Sequence, residues 1–225
     1  MPVYLLSEAL DFPDPRLASQ EGLLAVGGDL RLERLLSAYG HGIFPWFSEG
    51  EPILWWSPDP RLVLFPHEFK VSKSLKKVIN RSLFHITIDG AFRRVITECA
   101  QTRVAQEEPT WIVGGMIDAY CRLHEAGYAH SVEAWQEGVL VGGLYGVCLG
   151  KSFFGESMFA KVSNASKVAF TRLVDFLSCH AFHMIDCQVT TGHLIRMGAR
   201  EIPRERFLTL LQASLKETTL KGKWL

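Results

Sequence analysis

Two stretches decide how this chain folds: Phe153-Phe154-Gly155-Glu156-Ser157-Met158-Phe159 and Ile185-Asp186-Cys187-Gln188-Val189, with Asn164-Ala165-Ser166-Lys167 between them. Each outer stretch reads as a strand, and Ala165, Ala169, Leu173, Phe176 and Leu177 recur at helical spacing behind a capping Asn164. A strand, a helix and a strand with short links imply a right-handed crossover and two parallel strands. Alternation puts Asp186 and Gln188 on one face and Ile185, Cys187 and Val189 on the other, so Cys187 is expected to point away from the polar pair. Two polar side chains on an apolar strand are costly to bury unless they are paired or used. The crossover lays them beside Gly155-Glu156-Ser157.

Working outward, residues 130–135 and 139–148 read as a hairpin turning through Gln136-Glu137-Gly138, and residues 84–89 as a further strand. Residues 91–101 form a helix with Phe92, Val95, Ile96 and Cys99 inward. Pro109-Thr110-Trp111-Ile112 leads into a second helix, with Ile112, Met116, Tyr120 and Leu123 inward, that stops near Gly127. Trp111 is either a staple at the helix entry or a platform for a flat ligand, and its position alone leaves both open. The tail ends in a helix from Pro203, a residue suited to a first turn.

Toward the N-terminus, Asp29 is placed to cap a helix carrying Leu32, Leu35, Leu36 and Tyr39 and ending at Gly40. Gly27-Gly28 lacks a following Lys-Ser/Thr, so it reads as a tight turn and not a phosphate loop. Trp55 and Trp56 suit an aromatic core, whereas Trp46, in an irregular Pro-containing turn, suits stacking on a flat ligand. Pro58-Asp59-Pro60 marks a boundary between a small α+β lobe, residues 1–60, and a larger unit, residues 61–225.

With 24 basic and 24 acidic residues, no overall charge announces nucleic acid. Locally, residues 67–81 hold Lys70, Lys73, Lys76, Lys77 and Arg81 against Glu68. On a helix capped by Ser72, Lys73, Lys77 and Arg81 share one face, which is either a solvated face or a contact surface for phosphates. No basic, apolar leader and no run of roughly 20 apolar residues is present, so a cytoplasmic protein with no membrane partner is expected. Five cysteines without a C-x-x-C pair point to buried reduced thiols, with no metal site, and Cys187 is the candidate for any thiol chemistry.

The segments GLLAVGGDL, GIFPWFSEGEPILWWSPDPR, TWI, AHSVEAW, LVGGLYG, FFGESMF, NASK, IDCQV and GAREIPRERFL occur in that order over nearly the whole chain. In this series the chain closely resembles the leucyl/phenylalanyl-tRNA-protein transferases. It departs from them at Arg196-Met197, where the family usually has Ser-Leu, and at Asn80, where a basic residue occurs in relatives. The resemblance implies an α+β fold: the small N-terminal lobe plus an acetyltransferase-like (GNAT-like) domain with a central mixed β-sheet. It implies transfer of Leu or Phe, and possibly Met, from aminoacyl-tRNA to proteins beginning with Arg or Lys, marking them for N-degron-dependent degradation. It further implies Asp186, Gln188 and Glu156 as the catalytic group, and Trp46 and Trp111 around the terminal adenosine. Leu144, Phe153, Gly155, Ser157, Met158 and Phe170 fall to the aminoacyl pocket, and Lys73, Lys77 and Arg81 to the tRNA backbone.

Acetyltransferases cradle a pyrophosphate at a strand-to-helix turn, which here is Ala160-Lys161-Val162-Ser163-Asn164, without glycines. Coenzyme A is therefore not expected; no metal, no DNA and a monomer are expected as well. The rival readings are a coenzyme A-dependent N-acyltransferase, a non-enzymatic tRNA or N-terminus binding module, and a Cys187-His193 hydrolase.

Overall fold

The computed structural model describes residues 3–105 and 110–224; Met1, Pro2 and Pro109, the last read above as part of a helix lead-in, lie outside the described residues. The chain before residue 57 forms β1 (Tyr4–Leu6), β2 (Leu23–Gly27), the helix α1 (Leu32–Gly40), β3 (Phe44–Pro45) and β4 (Leu54–Trp56). Its strands make a sheet in the order β1-β2-β4-β3, with β1 and β2 parallel. Trp55 is fully buried under it, and Trp46 stays 40% exposed at its rim. Asp29 does not occupy the cap position of α1; Arg31 does, and Asp29 accepts the Arg31 N–H from outside.

The larger unit runs through β5 (Arg61–Leu64), α2 (Lys73–Asn80), β6 (His85–Ile88), α3 (Phe92–Ala105), α4 (Gly114–Glu125), β7 (Ala129–Gln136), β8 (Val139–Leu149) and β9 (Ser152–Ala160). It continues with α5 (Ala165–Cys179), β10 (Met184–Gln188), α6 (Gly192–Arg196), β11 (Arg200–Ile202) and α7 (Arg204–Leu215). Among the described residues its strands form one mixed sheet, β11-β5-β10-β9-β8-β7-β6. The strand–helix–strand unit expected at its centre is present, with β9 and β10 parallel and α5 between them in sequence. Asn164 precedes α5 in a left-handed conformation, so its side chain does not cap the helix. Gly142 lets α5 lie close: a Cβ there would stand 2.5 Å from that of Ala165.

The two faces of this sheet serve different layers. One carries α5 and α2 over Val132, Ala134, Leu144 and Ile185; the other carries α3, α4 and α7 over Val63, Tyr145 and Phe154, and merges with the core beneath α1 and the small sheet. The strands β2, β5 and β11 escaped the period-two reading because each is short, and β5 is buried on both faces. Such a strand shows a continuous apolar run and no alternation.

Candidate active site

Two irregularities on neighbouring strands build the site. The β9/β10 ladder ends at Asp186 opposite Phe154, so the two strands part beyond it. On β9, Tyr145 faces Ser157 and Gly146 faces Gly155, which leaves Glu156 as an extra residue in the pairing with β8. On β10, Asp186 pairs with Val63 and Gln188 with Leu62, which leaves Cys187 as the extra residue against β5. A bulge breaks the period of two and re-aims the side chains beside it. Gln188 follows in the left-handed region, at φ 60°. Beyond the parting lies a cavity of about 410 Å³, walled by both layers.

The carboxylate of Glu156 sits at its polar end. Tyr39 of α1 donates to Oε1 at 2.7 Å, Tyr120 of α4 donates to Oε2 at 3.1 Å, and the Gln188 amide donates to Oε1 at 2.8 Å. The two tyrosine hydroxyls are also within hydrogen-bonding reach of each other, and whichever donates across that contact does not donate its proton to Glu156 at the same moment. Burial pushes the Glu156 carboxyl up to about 7, against the lowering pull of these three donors, and the nearby Asp186 charge adds to the rise. Because Nε2 of Gln188 is committed to Glu156, its amide oxygen is the group left to accept a hydrogen bond.

Asp186 does not reach the cavity wall. It is fully buried, and its carboxylate takes two hydrogen bonds from Arg61, Nε to Oδ1 at 2.8 Å and Nη2 to Oδ2 at 2.7 Å. The guanidinium lies over the rings of Phe207 at 4.5 Å and Phe44 at 4.9 Å. Oδ1 of Asp186 also accepts the backbone N–H of Gln188 at 2.9 Å, which holds the left-handed residue in place.

Every residue assigned to the aminoacyl pocket lies in the cavity wall: Leu144, Phe153, Gly155, Ser157, Met158 and Phe170. Trp46 and Trp111 close its outer end, but their rings meet edge to face, with centroids 5.7 Å apart and planes at 76°. No slot for a base lies between them as they stand. Arg103 of α3, not singled out by the sequence reading, also lines the cavity and lies 4.2 Å over the Trp111 ring. Lys73 and Lys77 on α2, and Arg81 at its C-terminal cap, lie away from the wall, exposed as one basic face, with Ser72 capping the helix through Leu75 N–H at 3.1 Å.

Cys187 packs with Ile185 in the core under α5, on the opposite side from the partners of Asp186 and Gln188 as alternation expects, and it still reaches the cavity wall together with Gln188 and His193 because the strands part there. Its thiol is no nucleophile there. Burial, and then the Asp186 charge, push its pKa well up, and reactive thiols need the opposite shift. Burial and the charges of Lys167 and Arg196 hold the His193 pKa down.

Residues 63–212 match the family described as leucyl/phenylalanyl-tRNA protein transferase, and residues 28–59 match the N-terminal domain of that family. The chain belongs to this family. Relatives of that name are 61% identical in Desulfatibacillum aliphaticivorans and 60% in Syntrophobacter fumaroxidans, each match covering 100% of this chain and 96% of the relative. Membership makes the chain an enzyme that transfers aminoacyl groups from tRNA to protein. A solved aminoglycoside acetyltransferase from a soil metagenome aligns at TM-score 0.41 and 11% identity over 52% of this chain and 85% of its own, a likeness too slight to bear on the activity. No helix among the described residues is long and apolar enough to cross a membrane, and none of their His, Cys, Asp and Glu side chains cluster as a metal site would require.

Proposed function

We propose that the cavity takes the Leu or Phe side chain, and also Met, of an aminoacyl-tRNA, and that the acyl group passes to the α-amino group of a protein beginning with Arg or Lys. The observation that carries this is an apolar cavity ending at a single carboxylate–amide pair, Glu156 and Gln188, inside a family of this activity. Apolar walls select by size and shape and tolerate near neighbours, which suits two or three hydrophobic donors.

The donor is an activated ester. The amine nitrogen attacks its carbonyl carbon, the C–N bond forms, and the ribose hydroxyl leaves with the ester electron pair. The amine must shed one proton. An α-amino group titrates near 8, so strong base catalysis is not needed. Gln188 positions the amine through its free amide oxygen. Glu156, with its proton affinity near neutrality, receives the proton through the same hydrogen-bonded cluster and returns it to the departing ribose oxygen, which leaves as the hydroxyl. Asp186 acts from behind as the group that orients Gln188. Most of the acceleration then comes from proximity and orientation, up to roughly 7 to 11 kcal/mol.

Trp46, which is 40% exposed and would have to turn from its contacts with Trp56 and Trp111, and Trp111 hold the terminal adenosine by stacking. Lys73, Lys77 and Arg81 contact the tRNA backbone, without reading sequence. We place the reaction in the cytoplasm, on a monomer, without DNA, metal or coenzyme A, and its products in N-degron-dependent degradation. The turn before α5 supports leaving coenzyme A aside. Its Lys161 and Val162 N–H groups both point to the Val141 carbonyl, and the Lys161 ammonium is held by Glu98 at 2.6 Å.

The test is to mix the protein with Phe-tRNA and a peptide beginning with Arg, and to look by mass spectrometry for one added phenylalanyl group. Product that ribonuclease pre-treatment abolishes supports the reading. Intact charged tRNA with no product on Arg or Lys peptides overturns it. Acetylation from acetyl-coenzyme A would favour the small-molecule N-acyltransferase.

A further inference from the structure

The segment that follows α7 is fastened to the large sheet on the side that carries α5, and nothing in the mechanism uses it. Thr219 accepts the Gly150 N–H at 2.8 Å, and Gly222 donates to the Gly127 carbonyl at 3.2 Å. Trp224 donates its backbone N–H to Asp89 Oδ2 at 2.8 Å, and its indole N–H to the Leu220 carbonyl at 3.1 Å. Its ring is 3% exposed and lies parallel to His130, with centroids 3.7 Å apart and planes at 8°. Nδ1 of that histidine pairs with the same Asp89 oxygen at 2.9 Å. Trp224 also stacks on Phe176 at 4.7 Å and touches Phe153 at 6.0 Å.

Phe153 is the link to the site. It lies in the cavity wall, and its ring sits so tightly on Gly146 that a Cβ there would stand 2.6 Å from Cε1 and Cζ. The ring is thus set between Gly146 and Trp224. We infer that Trp224 is a positioning residue for donor selection: it props Phe153 and so fixes the depth of the cavity that receives the donor side chain. The inference rests on the reading of this cavity as the acyl pocket. Close-packed interiors transmit such a change, because a ring relaxes into any space opened behind it.

The experiment compares kcat/KM for Leu-tRNA, Phe-tRNA and a tRNA carrying 2-naphthylalanine in the full chain, in Trp224→Ala and Trp224→Phe, and in Phe153→Ala. A retreating Phe153 deepens the cavity, so the Trp224 variants should shift the ratio from Leu toward Phe and naphthylalanine. The shift should be on the order of tenfold in Trp224→Ala, the scale of one misfitted carbon in an apolar pocket, and smaller in Trp224→Phe. If Trp224→Ala does not fold, Trp224→Phe alone must show the shift. Equal loss for all three donors means a merely structural tryptophan and overturns the inference. An unchanged ratio in the Trp224 variants beside a changed one in Phe153→Ala overturns it while leaving the acyl pocket standing. No change in Phe153→Ala either overturns the pocket reading itself.

Discussion

Replacing Glu156 by Gln keeps the shape of the buried cluster and removes its titration. In the folded protein burial raises the Glu156 carboxyl to about 7 from an ordinary 4.5. The folded state therefore holds a proton that the unfolded chain has already released, and stability falls as pH rises between those values. Integrating from pH 5 to pH 8, the loss comes to roughly 2 to 3 kcal/mol, a sizeable share of the stability of an ordinary domain. Other groups contribute their own pH dependence, but it cancels when the variant is subtracted from the parent. Urea unfolding followed by tryptophan fluorescence at both pH values is the assay. Glu156→Gln should gain about that amount relative to the parent on going from pH 5 to pH 8. Parallel curves for the two proteins would refute the assignment of a neutral-range carboxyl to this position. The same variant should lose turnover above pH 7, where the parent carboxylate is free to take a proton.

Asp186→Asn should cost about 3 to 5 kcal/mol, because it leaves the Arg61 guanidinium buried without its counter-charge. Adding Arg61→Met should restore part of that loss, and an unimproved double variant would mean the pair is not the cause. Trp46→Ala should raise KM for charged tRNA by the value of one stacked base, about 1 to 3 kcal/mol or roughly five- to 150-fold. An unchanged KM would remove Trp46 from the donor site. Lys73→Ala with Lys77→Ala should weaken binding alike for every tRNA and flatten the log–log salt slope by about 2. A slope that does not move would take α2 off the contact surface.

The large elements were legible because their signals are local. Val132 and Ala134 alternate with Ser131 and Glu133, Glu137-Gly138 carries the positive φ angles of a tight hairpin, and Val95, Ile96 and Cys99 lie on one side of a helix. The small strands were not, since three residues such as Arg200–Ile202 carry too little pattern to register. Asn164 was placed at the right helix start for a reason that the backbone does not use, and Asp29 falls two residues before the cap of α1. At the site the residue types were legible and their arrangement was not. Alternation sends the Cys187 thiol away from the partners of Gln188, as found, but no local feature of the sequence announces the bulge at Cys187 or the parting of the strands that opens the cavity. Arg61 was missed as well, because its partner Asp186 lies 125 residues further along the chain.

The break in period also accounts for the buried charge. A left-handed Gln188 without glycine's freedom is strained, and the bulge removes regular ladder partners at the same point. Asp186 answers both: its Oδ1 accepts the Gln188 N–H, while Arg61 from β5 neutralises the carboxylate that does so. The orientation of Gln188 then depends on an arginine in one strand and, through Glu156, on Tyr39 and Tyr120 in α1 and α4. Phe44 of the small sheet and Phe207 of α7 lie under the same guanidinium. The clamp proposed for the attacking amine is thus assembled only when the small sheet, the tail helix and the central strands are all in place. Glu156 meets donors from three separate elements, so the order of the site and the packing of the whole chain are one equilibrium.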